Sequence, residues 1–407
     1  MFPAEGRMAG LQVHRLAIVA AGAILAGACA GPAATPSASP TTVAPATTAA
    51  APPTPSPTAA ATPAGSPGAA TPTPQPTLLP PIAGDTTVVT LTKIPIPPLA
   101  GKTASIDIIQ IDQDAHRLYV ADRTDNGVDV FDITTKDAKF VKTVDTGSGA
   151  NGVVVAKNVN KLFAALNDSN VAIIDLATLN VIAKVSTGGK GRADELDYDP
   201  KDKKVYVANS GDGFVTVFDA TTNAIIKKLD NLGPALEQPQ YNPGDGLMYM
   251  TSSDQNTIFV FDPVKDLLLR KDVVAVLCGP QGLAINPKTN QAVLGCNAGR
   301  AGSTGTPLTV AWDLANGIFT TVFGQVGSGD SVTYSAKTDR FYFGAHNFPR
   351  GSSIGIFSGS PIAFLTNVPT GSFSGAKNLA YDETNNLIYT QDALPGEGAL
   401  FSFTPPK

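Results

Sequence analysis

A short phrase recurs along this chain with a period of about 43 residues, and repetition at that length dictates architecture before any motif is considered. The phrase is a lysine or arginine, an apolar residue, a tyrosine and another apolar residue, followed by a turn and an apolar-apolar-aspartate triplet. It reads Arg117-Leu118-Tyr119-Val120, Lys161-Leu162-Phe163-Ala164, Lys204-Val205-Tyr206-Val207 and Leu247-Met248-Tyr249-Met250. It weakens at Gln291-Ala292-Val293-Leu294, then returns at Arg340-Phe341-Tyr342-Phe343 and Leu387-Ile388-Tyr389-Thr390. Each unit reads as four short strands; in the second they are expected over 152–156, 161–165, 171–175 and 181–185. Turns rich in Asn, Asp, Gly and Thr separate them. Short strands with both faces apolar pack as radial sheets, so the prediction is an all-β ring of seven four-stranded antiparallel blades.

Two details sharpen that expectation. The triplets ending in Asp132, Asp175, Asp219, Asp262 and Asp313 close the third strand of their units. Their carboxylates are assigned to the following turn, as acceptors for backbone N–H groups, and not to catalysis. The seventh unit stops after a third strand at 399–403, while an orphan apolar segment, 87–96, precedes the first unit. Because an open sheet edge invites aggregation, the segment is predicted to supply the missing outer strand.

Tyr206-Val207-Ala208-Asn209, followed by Phe214-Val215-Thr216-Val217-Phe218-Asp219 and Ile225-Ile226, resembles the YVTN-type β-propeller repeat. The likeness is strong in units 1 to 4 and looser in units 5 to 7. It departs at Val293, where the aromatic is lost, and at Ser358 and Thr404, where the aspartate is lost. A lone Trp312-Asp313 without a Gly-His partner sets the chain apart from WD40 repeats. The resemblance implies a seven-bladed ring outside the cytoplasm, in exported or surface-layer proteins. It implies no single activity, since related propellers include scaffolds, lactone hydrolases and redox-enzyme subunits.

Residues 1–29 read as an export signal: Arg7 and Arg15 precede an apolar run too short to span a bilayer as a mature helix. The run ends in Leu25-Ala26-Gly27-Ala28-Cys29, which resembles a bacterial lipobox with its leucine one place too early. A diacylglycerol anchor on Cys29 is expected, a plain secretory signal being the alternative. Residues 30–84 carry no charge and consist almost wholly of Ala, Pro, Thr, Ser and Gly. Such a segment cannot offset its ordering entropy by burial, and it is expected to be a disordered, extended stalk. The folded part is then 85–407.

Composition excludes several functions. The formal charge is −5 and no basic stripe appears, which argues against a nucleic-acid partner. Beyond the signal only His116 and His346 remain, too few for copper or haem chemistry, and no metal or other cofactor is expected. Cys278 and Cys296 fall on connections that emerge on the same face of a propeller. Either they form a disulfide, as an oxidising compartment favours, or they are two buried free thiols.

The sharpest clue comes from aligning the units at the start of their first strand. There they present Asp107, Asn151, Asp194, Glu237, Gln281, Asp330 and Lys377, all polar. Two residues later come Ile109, Val153, Leu196, Pro239, Leu283, Val332 and Leu379, all apolar. The polar row is predicted to form a collar at the mouth of the central channel, with a negative field that attracts a cation or an amine. The alternative is that these strands simply begin at the solvent boundary. Longer loops in units 5 to 7 are expected to bring Arg300, His346 and Arg350 to the same face. Three functions are carried forward. The first is a lipid-anchored, non-enzymatic module binding a small cationic ligand or a protein through its loop-bearing face. The second is a lactonase-like hydrolase using collar carboxylates as acid and base. The third is a structural surface-layer component.

Overall fold

Both faces of nearly every sheet in this chain are apolar, and that property closes it into a ring. The computed structural model describes residues 85–297, 308–345, 351–371, 375–391 and 397–407. The predicted signal, the stalk and Cys29 lie outside the described residues. Blade 1 consists of strands Ile106–Asp112, Arg117–Asp122, Gly127–Asp132 and Lys139–Asp145, here called a to d from the axis outward. Blades 2 to 6 repeat this order over 150–186, 196–229, 236–273, 280–323 and 329–369. Strands a of neighbouring blades touch one another in an unbroken circle of seven, including blade 7 against blade 1. The chain is a seven-bladed β-propeller.

Side chains alternate between the two faces of a strand, so consecutive residues of the repeated phrase enter different inter-blade cores. Leu118 packs toward blade 7 and Tyr119 toward blade 2. The aromatic of each phrase fills the interface that follows its own blade: Phe163, Tyr206, Tyr249, Tyr342 and Tyr389 do so in turn, all fully buried. Blade 5 has Val293 at this place, and the aromatic mass comes from elsewhere. Phe357 meets Phe323 at 5.2 Å and Phe364 at 5.5 Å between ring centroids, with Val293 in the same core. The outer strands d are solvated, as in Ile225–Leu229.

The basic residue that opens the phrase is an inter-blade pin. Lys161 Nζ in blade 2 donates to Ala220 O, Thr221 O and Asn223 Oδ1 in the c–d turn of blade 3, at 2.7 to 2.8 Å. Lys204 does the same to Pro263 O and Asp266 of blade 4, and Arg340 reaches Pro406 O beside blade 7. Blade 4 has Leu247 at this position, and Arg270 of its strand d bonds Leu314 O of blade 5 instead. The triplet aspartates accept turn N–H groups as expected, for example Asp219 from Thr221 and Thr222 at 2.7 and 2.9 Å.

Ring closure follows the prediction, with a shift. The outer strand of blade 7 is Thr92–Ala100, antiparallel to Glu397–Phe403, with Ile94 opposite Leu400. Residues 87–91, expected within it, lie before it. Thr87 N instead donates to Asn367 O of blade 6 at 2.8 Å, and Val88 is exposed. The strand runs through Pro95, Pro97 and Pro98. An outermost strand tolerates proline because its second edge has no ladder to join.

Candidate functional site

Strand a must bend where it meets the channel mouth, and the ladder shows how. In five blades the a–b register slips at a bulge, between Ile106 and Ile109, Ala150 and Gly152, Leu236 and Pro239, Pro280 and Leu283, and Gly329 and Ser331. Asp107, Asn151, Glu237, Gln281 and Asp330 of the polar row occupy those bulges, where a strand re-aims its side chains. Asp194 and Lys377 precede their strands at the equivalent place. The row is not a solvent boundary: every member except Lys377 is buried, at 6% exposure or less.

Six of the seven, all but Asn151, line one cavity of about 260 Å³ at the mouth, together with Arg192, Glu195 and Asn297. The groups are cross-braced. Arg123, from the b–c turn of blade 1, pairs with Asp107 and donates from Nε to Asn151 Oδ1 at 2.6 Å. Lys377 Nζ lies 3.2 Å from Asp107 and 2.6 Å from Asp330, and Asn378 also donates to Asp107. Arg192 pairs with Asp194 at 2.7 Å, Ser253 donates to Glu237 at 3.1 Å, and Asn297 donates to Gln281 at 2.6 Å. Arg192 rides on a tight loop whose Lys190 and Gly191 amides both bond the Asp212 carboxylate at 2.8 Å.

Glu195 is the residue that sequence reasoning missed. The row one place after the collar reads Ile108, Gly152, Glu195, Gln238, Gly282, Ser331 and Asn378, so a single carboxylate among uncharged residues was the available signal. It is 4% exposed, and its Oε2 has no hydrogen-bond partner among the described residues. Burial pushes it well above the usual carboxylate range, and the nearby Asp330, Glu237 and Asp194 push it further. Burial also raises Asp194, against the pull of Arg192, Arg123 and Lys377. Glu195 borders a second cavity of about 230 Å³, the channel itself, whose wall includes Gln110, Asp197 and Gln238. Gln238 Oε1 accepts from Leu283 N at 2.9 Å, bracing blade 4 against blade 5 across the channel wall. Asp197, enclosed although the channel reaches one side of it, is pushed up to about 7 by burial.

Cys278 and Cys296 form a disulfide, with Cα atoms 4.5 Å apart. Arg300, His346 and Arg350 lie outside the described residues. Among the described residues no group of His, Cys, Asp or Glu is arranged to hold a metal ion.

No family model matches the chain, and no curated protein matches its sequence. Solved structures do share its fold. One described as the structure of U3-55K superposes with a TM-score of 0.61, covering 80% of this chain and 100% of its own, at 12% identity. That likeness concerns the fold alone.

Proposed function

We propose that this chain is an exported, lipid-anchored β-propeller of the YVTN-repeat type, a binding module and not an enzyme, whose channel mouth takes a small cationic ligand. One observation carries the reading: five carboxylates, Asp107, Asp194, Glu195, Glu237 and Asp330, border one cavity among whose described neighbours only Arg123, Arg192 and Lys377 are cationic. Low-dielectric walls focus such an excess onto whatever enters. An ammonium group satisfies acceptors that an anion would repel. The lactonase-like reading would rest on the collar carboxylates alone as acid and base, for among the described residues the cavity is lined by no serine, cysteine or histidine to act as a nucleophile.

Calorimetric titration of the chain lacking residues 1–29 with putrescine, agmatine, tetramethylammonium and butanoate tests this. Cations are expected to bind, more weakly in high salt, with at least tenfold loss in Asp194→Asn. Binding of butanoate alone, or of none of the four, would overturn it. Turnover of chromogenic lactones, abolished by Asp194→Ala and Asp330→Ala, would establish the hydrolase instead. For the anchor, Cys29→Ser should release the protein from bacterial membranes. A mature N-terminus other than modified Cys29 refutes that part.

A further inference from the structure

The carboxylates of the mouth are not equivalent. Asp107 is held by Arg123, Lys377 and Asn378, Asp194 by Arg192, Asp330 by Lys377, and Glu237 accepts from Ser253. Among the described residues, Glu195 alone of these combines near-complete burial with an oxygen, Oε2, that has neither hydrogen bond nor ion pair, and it stands where the mouth cavity meets the channel. A buried carboxylate without a partner is costly, and the cost is escaped by taking up a proton. The groups facing it are Asp330 of blade 6, Glu237 of blade 4, Asp194 beside it and Lys377 of blade 7, with Asp107, Arg123 and Arg192 around the rim and Asp197 below. Burial together with Asp330, Glu237 and Asp194 outweighs the pull of Lys377, so the free site favours the neutral form.

We propose that Glu195 is the group that meets the ligand, and that it releases its proton to solvent as the ligand's positive charge takes that proton's place. The O–H bond of the neutral carboxyl breaks, the proton leaves to buffer, and the carboxylate left behind accepts an N–H from the ligand's ammonium. The charge that this ammonium brings to Glu195 is matched by the proton that leaves. This rests on the cation reading above and adds to it a direction: affinity rises with pH, by about tenfold per unit while Glu195 starts protonated.

The test uses putrescine, which stays fully protonated near neutral pH, titrated at about pH 6.5 in two buffers of different ionisation enthalpy. The expected result is release of about one proton per site in the native chain. None is expected in Glu195→Gln, which also binds at least tenfold more weakly. Asp197→Asn should keep the release, which excludes the channel aspartate as its source. A ligand-free arm is independent of any binding: infrared difference spectra at the same pH should show a carboxylic-acid carbonyl band present in the native chain and missing in Glu195→Gln. If that variant does not fold, the tenfold-per-unit rise in native affinity for putrescine carries the test. Absence of the band, binding without proton release, or release undiminished in Glu195→Gln each overturns the exchange while leaving cation binding standing. A band that is present with no cation bound overturns the cation reading itself, and the exchange with it.

Discussion

Removal of the closing strand is the most severe test of how this ring is held together. Strand Thr92–Ala100 buries Ile94, Ile96 and Leu99 between blades 7 and 1, at 6%, 1% and 0% exposure. At roughly 1.5–3 kcal/mol for each fully buried side chain, the three supply about 5–9 kcal/mol, comparable to the whole stability of a typical domain. Deleting 85–101 should therefore leave a chain that does not fold cooperatively, and a synthetic 85–104 peptide should restore folding when added in trans. The graded version is Leu99→Ala, expected to cost about 3 kcal/mol by equilibrium urea unfolding followed by circular dichroism. Gly398→Ala attacks the same seam from the other side, since a Cβ there would lie 2.1 Å from Leu99 Cβ and 2.5 Å from its carbonyl oxygen. A deleted chain that unfolds cooperatively at the native midpoint, or a Leu99→Ala cost under about 1 kcal/mol, would refute the reasoning.

Three further outcomes follow from the same geometry. Reducing the Cys278–Cys296 bond, which joins residues 18 apart, should lower stability by about 3 kcal/mol; thermal melts with and without reductant read this directly. Lys204→Met removes charge-assisted bonds to Pro263 O and Asp266 and should cost about 1–3 kcal/mol, whereas exposed Lys265→Met, on the surface of blade 4, should cost well under 1. Asp129 is fully buried and desolvation raises it to about 7 from 3.8. The folded state therefore binds more protons than the unfolded one between about pH 4 and 7, and Asp129 lowers stability as pH climbs through that window. Asp129→Asn should flatten the stability profile there, and an unchanged slope would show that the carboxyl is ionised throughout.

Much of this molecule was legible because the signals are local and repeated. Leu118 and Tyr119 declare by mere adjacency that both faces of a sheet are covered, and the spacing from Tyr119 to Tyr389 counts the blades. The polar row from Asp107 to Lys377 was visible for the same reason: seven copies of one strand start could be laid side by side. What escaped depends on where copies meet. The pin role of Lys161 exists only once the c–d turn of blade 3 is brought against it. The closing strand lies a few residues further along than 87–96 and takes in Pro97 and Pro98, which a strand accepts at an outer edge, and edge position belongs to the assembled ring.

The channel mouth divides along the same line. Sequence alone determined that polar residues gather at one end of the axis, since alternation along seven equivalent strands leaves no other place for them. Only the tertiary structure decided which of those charges are paired, because pairing is settled by bulges that turn side chains toward blades far away in the chain. It also decided that Glu195, one place off the repeating row, should lie among three other carboxylates with an oxygen unmet. A linear pattern records which side of a strand a residue occupies; desolvation and the sum of charges around it arise only when the ring closes.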